Sequence, residues 1–319
     1  MYVTFSNSLY LWFLLLIPIL IFSHYFFFKR SAGKAIIFSN MEALRRLVKG
    51  NILSANITHL ILRCFIILFL IVGASGLTLW VMGDSSDVNV VFALDSSASM
   101  SSPDVGESRF DVAKSIISGI LTNAPQGGEF AFIRFAGVSI IENSFTDNRA
   151  ELFFSLEQAS ILRLGGTDVG GAIVTATNLF ELRPDSGKVL ILISDGLDNT
   201  GSFISSSPIE TIAYARDNQV VIHSIAIGSE GGPLGFLPEY YQIPAMFSDE
   251  LLIVMSEETG GNYYRVESLN DATAVINELQ FETTRAYVNY NLHYWAFIVV
   301  FVLLVFEWIF ANTYFRRVL

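Results

Sequence analysis

The sequence predicts an α/β fold: a doubly wound, mostly parallel six-stranded sheet, carried by a chain with three transmembrane helices. Three observations carry this. Strand and helix signals alternate from Val88 to Phe281. Three apolar runs of 20, 19 and 20 residues (Leu9–Phe28, Cys64–Met82 and Leu292–Ala311) stand outside that alternation. Five oxygen-bearing side chains fall in three loops of the alternating region: Asp95, Ser97 and Ser99, then Thr167, then Asp195.

The apolar runs come first. About 20 residues cross the hydrocarbon core as a helix. The chain is 52% hydrophobic, and its apolar content is concentrated in these runs. The first run reads as a retained span and not a signal peptide, because Met1–Ser8 lack Lys and Arg while Lys29, Arg30 and Lys34 follow it. Between the first two runs Lys29, Arg30, Lys34, Arg45, Arg46, Lys49 and Arg63 face one acid, Glu42, and Arg316 and Arg317 follow the third. That bias assigns both segments to the cytoplasm. The stretch 83–291 then lies on the other side, with 10 Lys/Arg against 28 Asp/Glu. So acidic a domain argues against nucleic-acid binding. The expected organisation is a first span in 1–28, a basic cytoplasmic loop at 29–63, a second span at 64–82, the α/β domain at 83–285, and a third span with a short tail at 286–319. Cys64 is the single cysteine, which excludes an intrachain disulfide and a cysteine-type zinc site.

Within the basic loop, Ser39-Asn40-Met41-Glu42 fits a capping box, and Met41, Leu44, Leu47 and Val48 recur at helical spacing. This reads as a short amphipathic helix lying on anionic lipid, with a docking patch as the alternative. In the α/β region, Val88–Leu94 is a nearly continuous apolar strand, as buried parallel strands are. Arg109–Leu121 has helical spacing. Glu129–Phe135 and Ser139–Phe145 form a hairpin about Ala136-Gly137-Val138. A helix spans Arg149–Ala159, and Thr167 caps another that runs to Leu182. Lys188–Ser194 is a second buried strand. Pro208 opens a helix that ends near Asn218, and Val220–Ile227 is a strand. Helix Asp249–Thr259, stopped by Gly260-Gly261, edge strand Asn262–Val266 and helix Asn270–Phe281 close the domain.

Ligand sites in such sheets gather at the carboxyl ends of the strands. Asp95 and Asp195 each directly follow a predicted strand, and Ser97 and Ser99 are spaced so that one loop can turn both hydroxyls the same way. An all-oxygen set of this kind suits Mg²⁺, with Mn²⁺ or Ca²⁺ as alternatives. Neutral hydroxyl ligands leave positive charge on the ion, which favours an added carboxylate from a partner protein.

Asp-x-Ser-x-Ser with a distant Thr and a distant Asp resembles the metal-ion-dependent adhesion site of von Willebrand factor type A (VWA) domains, a Rossmann-like family. Ser108-Arg109-Phe110-Asp111-Val112-Ala113-Lys114, Phe132-Ile133-Arg134-Phe135-Ala136-Gly137, Ser194-Asp195-Gly196-Leu197-Asp198-Asn199 and Glu258-Thr259-Gly260-Gly261-Asn262-Tyr263-Tyr264 are similar to that family too. With two spans before the domain and one after, the chain resembles the bacterial BatA/BatB group of aerotolerance proteins. The resemblance implies a non-enzymatic protein-binding module in the bacterial inner membrane with its VWA domain in the periplasm. It implies other Bat-type membrane proteins and a cytoplasmic MoxR-type AAA+ ATPase as partners. It makes Ser97, Ser99 and Thr167 direct metal ligands, with Asp95 and Asp195 acting directly or through water. Ala98 departs from the Gly found in many members, with the spacing kept.

Other features read more plainly. His24, His59, His223 and His293 have no ligand spacing. A triad built on His223 lacks a Gly-x-Ser-x-Gly elbow. Gly165–Gly171 lacks the Gly-Lys-Ser/Thr of a phosphate loop. Glu307, inside the third span, is expected to snorkel toward Arg316 and Arg317. The long loop Gly228–Phe247 follows a strand and carries Phe236, Tyr240 and Tyr241. It is expected to share the metal's face as a partner-binding surface, directed away from the bilayer. A structural assembly role with an incidental metal is the competing class, and a metal-dependent hydrolase is a weaker one.

Overall fold

The structure, a computed structural model, describes residues 2–32, 52–84, 88–124, 128–162, 165–184, 186–196, 208–229, 249–282 and 285–313. The helix expected near 41–50, Arg316, Arg317, and the aromatics Phe236, Tyr240 and Tyr241 lie outside these residues. The chain divides into two compact units, Met1–Val81 with Asn289–Leu319, and Met82–Val288. Elements are numbered along the chain.

The first unit holds β1 (Tyr2–Phe5), a 3-10 helix (Ser8–Leu15), α1 (Leu16–Ala32) and α2 (Ile52–Ala74). It also holds most of β2 (Leu77–Asp84), the end of β9 (Arg285–Asn291), and α9 (Leu292–Thr313). Among the described residues, three helical stretches are long and apolar enough to cross a membrane: Ser8–Phe27, Ile57–Ala74 and Leu292–Phe310. The second differs from the expected Cys64–Met82 span. The helix ends at Ala74, the chain turns at Gly76 (φ +69°), and β2 follows. A hydropathy window misses this break, since Leu77 and Leu79 continue the apolar run past the end of the helix. The alternation of Leu77-Thr78-Leu79-Trp80 is that of a strand, and β1, β2 and β9 form a three-stranded sheet in that order. β1 pairs antiparallel with β2, and Trp80 Nε1 donates to Thr4 Oγ1 at 2.9 Å. Glu307 stands on α9, and the arginines expected to draw it, Arg316 and Arg317, lie outside the described residues. Arg63 Nε donates to Glu307 Oε1 at 2.7 Å, joining α2 to α9, which pack together.

The second unit is built on a six-stranded sheet in the order β5-β4-β3-β6-β7-β8. Its strands are β3 (Val88–Asp95), β4 (Phe130–Phe135), β5 (Ser139–Thr146), β6 (Gly187–Ser194), β7 (Val220–Ile227) and β8 (Tyr263–Val266). All neighbours are parallel except β4 and β5, the expected hairpin. Every residue of β3, β6 and β7 is buried, which explains their largely apolar sequences. The helices are α3 (Arg109–Asn123), α4 (Arg149–Gln158), α5 (Val169–Leu179), α6 (Pro208–Asp217), α7 (Glu250–Thr259) and α8 (Leu269–Glu282). One core joins Val91, Ala93, Leu190, Leu192 and Ile222 of the sheet to Ala172, Ile173 and Ala176 of α5, Ile212 of α6, and Leu252 and Met255 of α7. α3 lies against β3 and packs on α8. α5 is capped by Asp168, whose side chain accepts from Gly171 N, and not by Thr167 as expected from sequence. Both are good cap residues, and the cap falling one residue later leaves Thr167 in the loop.

Candidate metal centre

The central strands β3 and β6 run side by side, with Leu94 opposite Ile193. Their ends therefore deliver Asp95 and Ser194-Asp195 to the same edge of the sheet. Asp95 and Asp195 are wholly buried. Asp95 organises the first loop: its Oδ1 accepts from Ser97 N at 2.8 Å, and its Oδ2 accepts from Ser194 Oγ at 2.6 Å. Ser97 Oγ and Ser99 Oγ lie 3.0 Å apart, so the two hydroxyls turn to one side as their spacing predicts.

The Thr167 loop is fastened to the same edge by backbone hydrogen bonds. Ser96 N donates to Phe135 O at 2.7 Å, Leu162 N to Ser96 O at 2.8 Å, and Asp168 N to Ala136 O at 2.7 Å. Gly137 allows the close approach, since a Cβ there would stand 2.4 Å from Gly165 O. Thr167 is buried in this loop. The structure thus brings the Asp95, Ser97, Ser99 and Asp195 segments together, with the Thr167 loop pinned beside them.

Electrostatics mark the site. Burial, and then the charge of Asp195, push the Asp95 carboxyl up to about 7, against the hydrogen bonds from Ser194 and Ser97 that pull it down. Two buried carboxylates opposing each other are the arrangement a divalent cation relieves. The donors are all oxygen, with hydroxyls beside the carboxylates, which fits a hard cation such as Mg²⁺. No cluster of three His, Cys, Asp or Glu side chains that could hold a metal occurs among the described residues.

Sequence reasoning gave no role to four residues that the structure places here. Ser194 holds Asp95. Arg109, fully buried, donates from Nη1 to Asp195 Oδ2 at 3.2 Å. Asp104 accepts from Arg109 Nε and Nη2 at 2.9 and 2.7 Å, and from Ser229 N and Oγ at 2.8 and 3.0 Å. Burial raises Asp104, but the bonds from Arg109 and Ser229 outweigh it and hold the carboxyl down at about 2. A lone Arg at a predicted helix start gives no signal of this in sequence. His223 belongs to β7 instead: its Nδ1 accepts from Asn262 N at 3.1 Å, and its buried Nε2 has no hydrogen-bond partner. That is not the arrangement of a hydrolase triad, in which the ring is held by a carboxylate and faces a hydroxyl.

Known proteins resemble this chain in sequence and in fold. Residues 90–197 match the von Willebrand factor type A domain family, and residues 1–77 match the aerotolerance regulator N-terminal family. A UPF0353 protein of Nocardia farcinica is 25% identical over 289 residues, covering 82% of this chain and 84% of its own. The crystal structure of BatB from Bacteroides thetaiotaomicron is 25% identical, with a TM-score of 0.53, covering 60% of this chain and 97% of that one. Proximal thread matrix protein 1 of the mussel byssus, in a structure with a zinc-occupied MIDAS motif, is similar in fold at 18% identity. Its TM-score is 0.52, over 67% of this chain and 50% of that one. Residues 90–197 are thus a match to VWA domains and residues 1–77 to aerotolerance regulators, and the chain is similar to membrane proteins of the BatA/BatB kind.

Proposed function

We propose that this BatA/BatB-type membrane protein binds a partner protein through a divalent cation held by Asp95, Ser97, Ser99, Thr167 and Asp195. The observation that carries the reading is the pair of buried carboxylates, Asp95 and Asp195, that neighbouring strands bring to one sheet edge with the paired hydroxyls of Ser97 and Ser99. Mg²⁺ is the expected ion, and Mn²⁺ or Ca²⁺ are alternatives. The zinc-occupied site of the mussel protein, which shares the fold, supports a divalent ion in general. When bound, the ion supplies a Lewis-acidic position for a carboxylate oxygen of the partner. The chain's own part is to hold that position. Ser194 and the Ser97 amide fix Asp95, and Arg109 fixes Asp195.

The bias of basic residues supports placing the VWA domain in the periplasm and the 29–63 loop in the cytoplasm of the inner membrane. The resemblance to the Bat group supports other Bat-type membrane proteins as neighbours and a MoxR-type AAA+ ATPase at the cytoplasmic loop. Titration of the full chain in detergent with Mg²⁺, compared with Asp95→Ala, tests the first step. Wild type takes up one ion and the variant none, with both folded by circular dichroism. Affinity capture in Mg²⁺ against EDTA tests the second. A partner retained equally in EDTA and by Asp95→Ala leaves the metal incidental and favours a structural assembly role.

A further inference from the structure

Arg109 and Asp104 lie outside the five-oxygen set, yet their side chains are only 0% and 4% exposed beside it. The guanidinium touches three chain segments. It donates to Asp104 through two N–H groups at 2.9 and 2.7 Å and to Asp195 through one at 3.2 Å. Asp104 in turn accepts from the Ser229 amide at 2.8 Å and from its hydroxyl at 3.0 Å. Ser229 stands two residues beyond the end of β7. Gly228, at φ +144°, presses so closely on the guanidinium that a Cβ would lie 2.7 Å from Arg109 Cζ. The backbone leaving β7 is therefore fastened, through one carboxylate and one guanidinium, to Asp195.

A buried cation against Asp195 opposes the arrival of a second, divalent one. Asp104 offsets that opposition, because it takes the shorter and bidentate share of the guanidinium's hydrogen bonds. We propose that Asp104 and Arg109 form a charge relay that sets the ion affinity of the centre and ties it to the docking of Gly228–Ser229. This rests on reading the five oxygens as a metal site. Asp104 is a positioning residue, acting through Arg109 on Asp195. By linkage, whatever holds Ser229 in place raises affinity for the ion, and the ion tightens Ser229 to the same degree.

The test is Mn²⁺ calorimetry on the full chain in detergent, for wild type, Asp104→Asn, Arg109→Gln and the double variant. Asp104→Asn leaves the guanidinium uncompensated, and affinity falls on the order of tenfold. The double variant removes both charges and recovers most of the loss. A double variant as weak as Asp104→Asn, or weaker, overturns the relay in favour of a purely structural role. Ser229→Ala removes one donor to Asp104 at a half-buried position and covers the case in which Asp104→Asn does not fold. Its affinity falls about threefold, and unchanged affinity overturns the proposal. Amide exchange gives the reciprocal readout: Mn²⁺ slows exchange at Ser229 in wild type and not in Asp104→Asn. Equal affinities in all variants sink the relay and leave the metal centre standing. A folded wild type that takes up no Mn²⁺ sinks both.

Discussion

Ser194 donates a 2.6 Å hydrogen bond to Asp95, a residue 99 positions earlier in the chain, across two neighbouring parallel strands. The same hydroxyl accepts from Gly196 N at 3.0 Å. One small side chain thereby fixes the loop that carries Asp195 to the carboxylate that organises the loop of Ser97 and Ser99.

Replacing Ser194 by Ala leaves a buried carboxylate oxygen and the Gly196 amide each short of a partner. A loss of about 1–3 kcal/mol is expected. Denaturant unfolding of the full chain in EDTA measures it, and an unchanged midpoint would contradict the structural role given to this serine.

Gly228→Ala places a Cβ against the Arg109 guanidinium at a backbone angle that side chains rarely adopt. A destabilisation of about 1–3 kcal/mol follows from the strain alone. A thermal melt matching wild type would show that this contact is absent in solution.

His223 supplies the pH dependence. Burial pushes it down to about 4 from the ordinary 6.5. The unfolded chain then binds more protons between those values, so stability is full above pH 6.5 and declines as pH falls toward 4. The His223 contribution to that decline is about 3 kcal/mol. His223→Asn keeps an acceptor near Asn262 N and removes the titration. Denaturant series between pH 8 and pH 4 should show a shallower slope for the variant, and parallel slopes would refute the assignment.

Asp168, and not Thr167, caps α5. Asp168→Ala should cost about 1 kcal/mol of stability, with ion uptake retained. Thr167→Val, keeping the shape, should weaken Mg²⁺ uptake with little change in melting temperature. The reverse pattern would exchange the two roles.

The Arg63–Glu307 pair joins two apolar helices. Glu307→Gln should loosen their association by about 1 kcal/mol, and exchanging the two residues as Arg63→Glu/Glu307→Arg should restore most of it. Unfolding in mixed detergent micelles reads this, and a swap no better than Arg63→Glu alone would count against a direct pair.

The core of the domain was legible because burial writes itself into composition. Strands covered on both faces, such as Lys188–Ser194, become continuous apolar runs, and a helix covered on one face becomes a periodic one. Asp95, Ser97 and Ser99 stood out in sequence only together with Thr167 and Asp195, since Asp-x-Ser-x-Ser alone is common in loops, and the structure sets the loops of Asp95 and Asp195 at the ends of neighbouring strands. Arg109 was not legible, because a guanidinium buried by Asp104 and Asp195 looks in sequence like one in water, and its partners are set by tertiary structure. The same holds for Ser194, whose partner is on another strand. The break at Gly76 was hidden for a different reason: hydropathy sums over a window and discards the alternation that separates Leu77–Trp80 from the helix before it. The bond from Arg63 to Glu307 was hidden because the two residues stand on different helices, 244 positions apart.

The pairing of β3 with β6 gives ion uptake a second meaning. Leu94 lies opposite Ile193, which sets Ser194 against Asp95 and leaves Asp195 just past the strand, so a slip of one residue would break the Ser194–Asp95 bond and shift the two acids relative to each other. A cation held by both carboxylates would then be bound only by molecules with this register, so ion uptake would report on the finished fold.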